Sequence, residues 1–124
     1  MLLGLDVQTN EQAEEECARG TLPEDPALRK FAIHLRARRY RYKTEKSYVQ
    51  WVMRCAQWCA VDTPGALHPY NLAPFLDNLA VVRQVSASTQ KQAVSALVLF
   101  MREILGHHNV DIPSFQRASA QRNL

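Results

Sequence analysis

Between Arg36 and Lys46 the chain places six bases, Arg36, Arg38, Arg39, Arg41, Lys43 and Lys46, around one acid, Glu45. Tyr40, Tyr42 and Tyr48 interleave with them. Arginine and lysine neutralise phosphates and release their counterions. Tyrosine hydroxyls donate to phosphate oxygens and help to set register. Thr44 is a good helix cap, and the free backbone N–H groups of the turn it starts make a seat for an anion. Arg39, Arg41, Lys43, Thr44 and Lys46 are therefore candidate phosphate contacts. The same composition would also serve as a solvated basic helix end, which suits the dipole of the preceding helix.

A second candidate lies at Ser86-Ala87-Ser88-Thr89-Gln90-Lys91-Gln92. Small polar groups and amides at a helix start can enter a major groove, where glutamine pairs with adenine and lysine with guanine. Ser88, Thr89, Lys91, Gln92 and Ser95 are the candidate contacts. A capping sequence with a solvated face reads the same way.

No catalytic set is visible. His34, His68, His107 and His108 have no serine or cysteine partner. There is no phosphate-loop glycine pattern, no HExxH and no CxxC. Glu14-Glu15-Glu16 reads as an acidic run and not as a metal site. Cys17, Cys55 and Cys59 make an odd number, so they are not a disulfide framework. Cys55 and Cys59 share a helix face, but a metal would need two more ligands, so both are assigned to the core. The expectation is no metal and no cofactor.

Four helices must carry these candidates. The first starts at Asp25-Pro26, a cap followed by a proline favoured at the first helical position. Its stripe is Leu28, Phe31, Ala32 and Leu35, and it should end near Arg38 or Arg39. The second starts at Thr44 and buries Tyr48, Trp51, Val52, Cys55, Trp58 and Cys59. It leaves Lys46, Gln50, Met53 and Gln57 on the opposite face, which makes Gln50 a further candidate contact. Asp62-Thr63-Pro64-Gly65 is a turn signal. The third is capped by Asn71, with Leu72, Phe75, Leu76 and Leu79 inward. The fourth runs from a Ser86 cap to Leu105, with Gly106 as its stop. It buries Gln90, Ala93, Val94, Leu97, Met101, Ile104 and Leu105; Gln90 is the polar exception, placed near the open end. The opposite face carries Ser88, Lys91, Gln92, Ser95 and Arg102. No stretch alternates as a strand, so the class is all-α.

The 124 residues suit one bundle, and 47% hydrophobic content excludes a disordered chain. No apolar run approaches the ~20 residues of a spanning helix, and the apolar start has no basic n-region, so a cytoplasmic protein is expected. The net charge of +3 conceals an asymmetry. Residues 1–25 hold seven acids and one base, net −6, while residues 26–124 hold fourteen bases and five acids, net +9. A basic body with an acidic leader points to an anionic polymer as partner. Residues 1–24 read as a mobile acidic leader, 25–107 as the helical domain and 108–124 as a linker. A basic linker at the end implies a further domain beyond it.

Three segments then resemble a known family. Arg39-Tyr40-Arg41-Tyr42-Lys43-Thr44-Glu45-Lys46-Ser47-Tyr48-Val49-Gln50-Trp51-Val52 resembles the opening motif of integron integrases, roughly HYSxxTExxYxxWI. Phe75-Leu76-Asp77-Asn78-Leu79-Ala80-Val81 resembles the family's FLxxLAV. Val85-Ser86-Ala87-Ser88-Thr89-Gln90-Lys91-Gln92-Ala93-Val94-Ser95-Ala96-Leu97 resembles its VSASTQxQALxAL. Order and spacing agree over about residues 28–106, ending at Arg102-Glu103-Ile104-Leu105-Gly106.

The resemblance implies the N-terminal core-binding domain of a tyrosine recombinase of the phage-integrase type, a four-helix, SAM-like orthogonal bundle. Such a domain forms half of a clamp around recombination-site DNA. The catalytic half, with its arginine, lysine and histidine set and nucleophilic tyrosine, has no counterpart among these residues. The implied protein is a non-catalytic module that grips double-stranded DNA, monomeric alone and joined by other recombinase protomers when full length. Contacts carried over fall on Lys43, Thr44, Lys46 and Gln50, and on Ser88, Lys91, Gln92 and Ser95. Cys55, Ala56, Cys59 and Ala60 replace larger side chains of the family, and Val61-Asp62-Thr63 replaces basic ones. The rival reading from another class is a helical protein-interaction module that uses the basic face and acidic leader for self-association.

Overall fold

In the computed structural model, residues 21–110, 112 and 115–118 are described. The expectation of a mobile leader falls mainly on residues 1–20, outside the described residues, as does Cys17. The described residues form four α-helices and no strand.

Helix α1, Pro26–Ala37, opens as its sequence dictates: Asp25 is extended and its carboxylate accepts from the Leu28 amide at 3.0 Å. Leu28, Phe31, Ala32 and Leu35 are all buried. The close of α1 is less orthodox. Arg39 adopts a left-handed φ of 63°. Its N–H bonds Arg36 O and that of Tyr40 bonds Leu35 O, the two closing bonds of a Schellman cap.

Helix α2 spans Tyr42–Cys59, so it starts two residues before the expected Thr44 cap. Arg41 is its N-cap, without a side-chain capping bond. After the Schellman turn one extended residue, Arg41, leads into the helix, and its carbonyl accepts from the Glu45 N–H at 2.9 Å. Thr44 therefore sits inside the first turn. Trp51, Val52, Cys55 and Ala56 are buried, while Tyr48 and Cys59 are half-buried. Trp58, expected inside, is exposed; it lies at the bundle edge with its ring centroid 5.9 Å from Phe75.

Two short 3₁₀ turns, Pro64–Ala66 and Pro69–Asn71, lead into α3, Leu72–Val81. Asn71 precedes α3 but does not cap it with its side chain; its Oδ1 accepts from the His68 N–H at 2.8 Å and closes the preceding turn instead. Leu72, Phe75, Leu76 and Leu79 face inward as expected. Helix α4, Ala87–Glu103, is capped by Ser86, whose hydroxyl accepts from the Thr89 amide at 3.1 Å. Its buried face is rotated slightly from the expected one. Ala96 and Phe100 are buried, and Val94, Ile104 and Leu105 are only partly so. The helix stops at Glu103, and Gly106 at φ 79° turns the chain.

The longest helices, α2 and α4, pack on each other, α1 lies against α2, and α3 closes on α4 and α2. Phe31 and Phe100 meet edge-on at 5.2 Å in the middle, and Trp51 meets Phe75 edge-on at 6.4 Å. After α4, the described residues lie on the bundle. Val110, Ile112 and Phe115 pack against the core, and Ala118 is buried. Gln90 holds this stretch. Its amide donates to Leu76 O at 3.1 Å and to Gln116 O at 2.8 Å, and accepts from the Ala118 N–H at 2.8 Å. The expected open position of Gln90 is thus a closed one, 3% exposed, because those backbone groups satisfy the amide completely.

Candidate nucleic-acid interface

The basic cluster divides in three dimensions. Arg36 turns inward and its Nε donates to both oxygens of Glu45 at 3.0 and 3.1 Å, while Nη2 lies 3.0 Å from Oε2. The Glu45 side chain is only 4% exposed, so this guanidinium is committed to a buried carboxylate. Arg36 Nη2 also donates to Thr21 O at 3.1 Å, tying down the segment before α1. Arg38 donates to His34 Nδ1 at 3.1 Å. A guanidinium only donates, so that nitrogen accepts and the ring is neutral. Burial, and then the charge of Arg38, push the His34 pKa down. Arg39, Arg41, Lys43 and Lys46 are exposed.

Two flanks of α2 carry the remaining candidates. Lys46 and Gln50 border α1: with Leu22, Pro23, Leu28 and Met53 they line a groove of about 300 Å³. The other flank meets α4. There the Trp51 indole N–H donates to Gln92 Oε1 at 3.1 Å, and Tyr48 and Ser95 border one surface pocket. Burial first, and Tyr40 next, raise the Tyr48 pKa. Tyr40, Tyr48, Ser95 and Arg102 line a surface pocket of about 430 Å³. The structure therefore joins Gln92 and Ser95 of α4 to α2, and sets Lys46 and Gln50 apart from them.

Ser88, Lys91, Gln92 and Ser95 are exposed on α4. Thr89 is half-buried and its hydroxyl accepts from Ser86 Oγ at 2.9 Å, so it belongs to the cap. Lys91 lines a pocket with Ser86, Ala87 and Ser88. Sequence reasoning missed Arg54. Its guanidinium lies 4.4 Å from the centroid of the Trp51 ring and its side chain is exposed, beside Gln57, Trp58 and Arg83 in a further pocket. The signal was present: Arg54 follows Gln50 by one helical turn on the polar face.

Cys55 is fully buried, and burial pushes its thiol pKa up strongly, with Cys59 next in effect. A protonated, buried thiol is a poor nucleophile. Among the described residues no group of three or more His, Cys, Asp or Glu is placed to hold a metal ion. None of their helices is long and apolar enough to cross a membrane.

The family model for the phage integrase N-terminal SAM-like domain matches residues 28–109. Two curated relatives, each called "Integrase/recombinase", come from Escherichia coli and Pseudomonas aeruginosa. Each is 35% identical over 83 residues, which is 67% of this chain and 24% of the relative. The chain thus spans about a quarter of the length of the curated relatives it matches. The family match begins inside α1 and runs past the end of α4, over every candidate contact on α2 and α4, and the chain belongs to the phage-integrase N-terminal SAM-like domain family.

Proposed function

We propose that this domain grips recombination-site duplex DNA for an integron-type tyrosine recombinase, in the cytoplasm, and performs no cleavage itself. The observation that carries the reading is the exposed polar surface spanning α2 and α4. It holds Arg39, Arg41, Lys43 and Arg54 on one side and Ser88, Lys91, Gln92 and Ser95 on the other, on a body of net charge +9. The first group suits phosphates and the second suits base edges. Arg39 adds a specific argument. Glycine would take its left-handed φ of 63° at lower cost, yet the position carries a long exposed cation. Residues 108–124 would lead on to the catalytic half, where other protomers would also be engaged; the domain alone would be a monomer.

The chain is expected neither to nick nor to relax supercoiled plasmid. A covalent DNA adduct on Tyr40, Tyr42, Tyr48 or Tyr70 would overturn the non-catalytic assignment. Duplex binding should be weak, roughly 10⁻⁴ to 10⁻⁶ M at physiological salt, as for non-specific contacts. Lys43→Ala should weaken all sequences alike and lower the salt slope by about 1. Lys91→Ala should weaken a cognate site by ~1–3 kcal/mol, more than a scrambled one. Both lysines are exposed and outside the core, so both variants should melt like the parent. Equal loss on both duplexes for Lys91→Ala would reduce α4 to a phosphate contact. The protein-interaction reading draws on Val81 and Val82, exposed together at the end of α3. A duplex affinity indifferent to salt, with self-association in sedimentation, would favour it.

A further inference from the structure

Gln92 is the one exposed amide on the α4 surface whose orientation the structure settles. An indole N–H can only donate, so the group 3.1 Å from Trp51 Nε1 must be the amide oxygen and not the nitrogen. The ring that makes this bond has little freedom. Trp51 is 5% exposed, meets Phe75 edge-on, and carries the Arg54 guanidinium over its face. A buried indole needs an acceptor, and here it takes that acceptor from a side chain of the neighbouring helix.

This has a chemical consequence for recognition. Bidentate pairing with adenine needs both ends of a glutamine amide at one base edge, the oxygen accepting from N6 and the nitrogen donating to N7. The bond from Trp51 takes one lone pair of the oxygen and turns that end of the amide toward α2, so the end Gln92 turns outward is the one with its two N–H groups. We infer that Trp51 is a positioning residue that makes Gln92 a donor-only contact, directed at acceptor atoms such as guanine N7 and O6 and set against cytosine, whose major-groove edge offers a donor. The inference rests on the DNA-gripping reading and replaces the adenine pairing expected of Gln92 from sequence.

Two measurements test it on the 124-residue chain. The first needs no DNA. Hydrogen exchange of the Trp51 indole N–H, followed by NMR, should be slowed in the parent and faster in Gln92→Ala. Gln92 is exposed, so that variant should keep the fold. An unchanged exchange rate would mean that the amide does not hold the indole, and the inference falls.

The second is selection from a randomised duplex library at low salt. The parent should enrich guanine over cytosine at one position, by about tenfold. Gln92→Glu still accepts from Trp51 but presents acceptors outward, so the preference at that position should turn to cytosine. Trp51→Phe keeps an aromatic ring, with folding checked by circular dichroism, and frees the amide to rotate; guanine enrichment should fall and adenine should rise there. A Trp51→Phe profile identical to the parent's would overturn the positioning role while leaving DNA binding intact. Salt-dependent binding with no base preference at any position would do the same. A chain that binds no duplex at all would overturn the DNA-gripping reading itself, and the inference with it.

Discussion

Arg36→Met is expected to lower the unfolding free energy by about 3 kcal/mol, the loss typical of breaking a buried ion pair by removing one partner. The geometry explains the size. Glu45 is 4% exposed at its side chain and both of its carboxylate oxygens accept from the Arg36 fork. Removing that fork takes two short charge-assisted bonds from a carboxylate in a site that water scarcely reaches. Arg36 is itself 23% exposed, which holds the figure to the lower end of the range for buried pairs. The double variant Arg36→Met with Glu45→Met should recover most of the loss, because a buried pair replaced by apolar groups is close to neutral. Urea unfolding followed by circular dichroism measures all three proteins. A loss below about 1 kcal/mol for Arg36→Met would class the pair with exposed ones. The salt slope for duplex binding should not change in Arg36→Met, since this cation does not belong to the phosphate surface.

The second large effect is expected at Gln90. Gln90→Leu keeps the volume but leaves Gln116 O and the Ala118 N–H without their side-chain partner, and removes the extra donor at Leu76 O. An unmet buried polar group costs about 1–3 kcal/mol, so the segment should detach and let its own groups return to water. The expected result is a local loss of about 2 kcal/mol, read as roughly 30-fold less protection of the Ala118 amide from hydrogen exchange. The helical core should melt nearly as in the parent, because Leu97, Phe100 and Met101 lie in the main cluster of α4 and not against this segment alone. The Asp77 carboxylate, which accepts from the Gln116 N–H, is a second tie, so Asp77→Ala on top of Gln90→Leu should release the segment further. Protection unchanged in Gln90→Leu would show that the Asp77 tie and the burial of Phe115 and Ala118 hold the segment without Gln90.

Much of the bundle was legible because its signals are local. Asp25-Pro26 and Ser86 announce helix starts through side chains that reach backbone N–H groups three residues on. The stripes of α1 and α3 are legible for the same reason: one helical period sorts Leu28, Phe31, Ala32 and Leu35, or Leu72, Phe75, Leu76 and Leu79, onto a single face. Gly106 marks the stop of α4 by its lack of a Cβ. Three other chain reversals use the same left-handed backbone at Arg39, Ala60 and Gln84. None of these residue types signals such a turn. Backbone closing bonds mark these turns, from the Tyr40 N–H to Leu35 O, the Val61 N–H to Ala56 O and the Val85 N–H to Leu79 O, and α2 accordingly starts after Arg41 and not at the expected Thr44 cap.

The polar surface shows the same division. Periodicity alone places Lys46, Gln50, Ser88, Lys91, Gln92 and Ser95 on solvent-facing sides of their helices, where the structure finds them. Which of these residues meet across helices is a property of pairs far apart in sequence. Trp51 and Gln92 are 41 residues apart, and nothing in either local pattern orients the amide. Arg36 and Glu45 read as members of one charged run, yet the α1–α2 turn folds one onto the other and takes the carboxylate out of water. Gln90 reads as a polar residue near a helix end, yet a segment 26 residues on in the chain supplies its partner at Gln116. Residue type and spacing determine which face of a helix a side chain occupies. Only the packing of helices decides whether a polar group there meets water, a partner side chain or a buried backbone, because that depends on neighbours which no local period specifies.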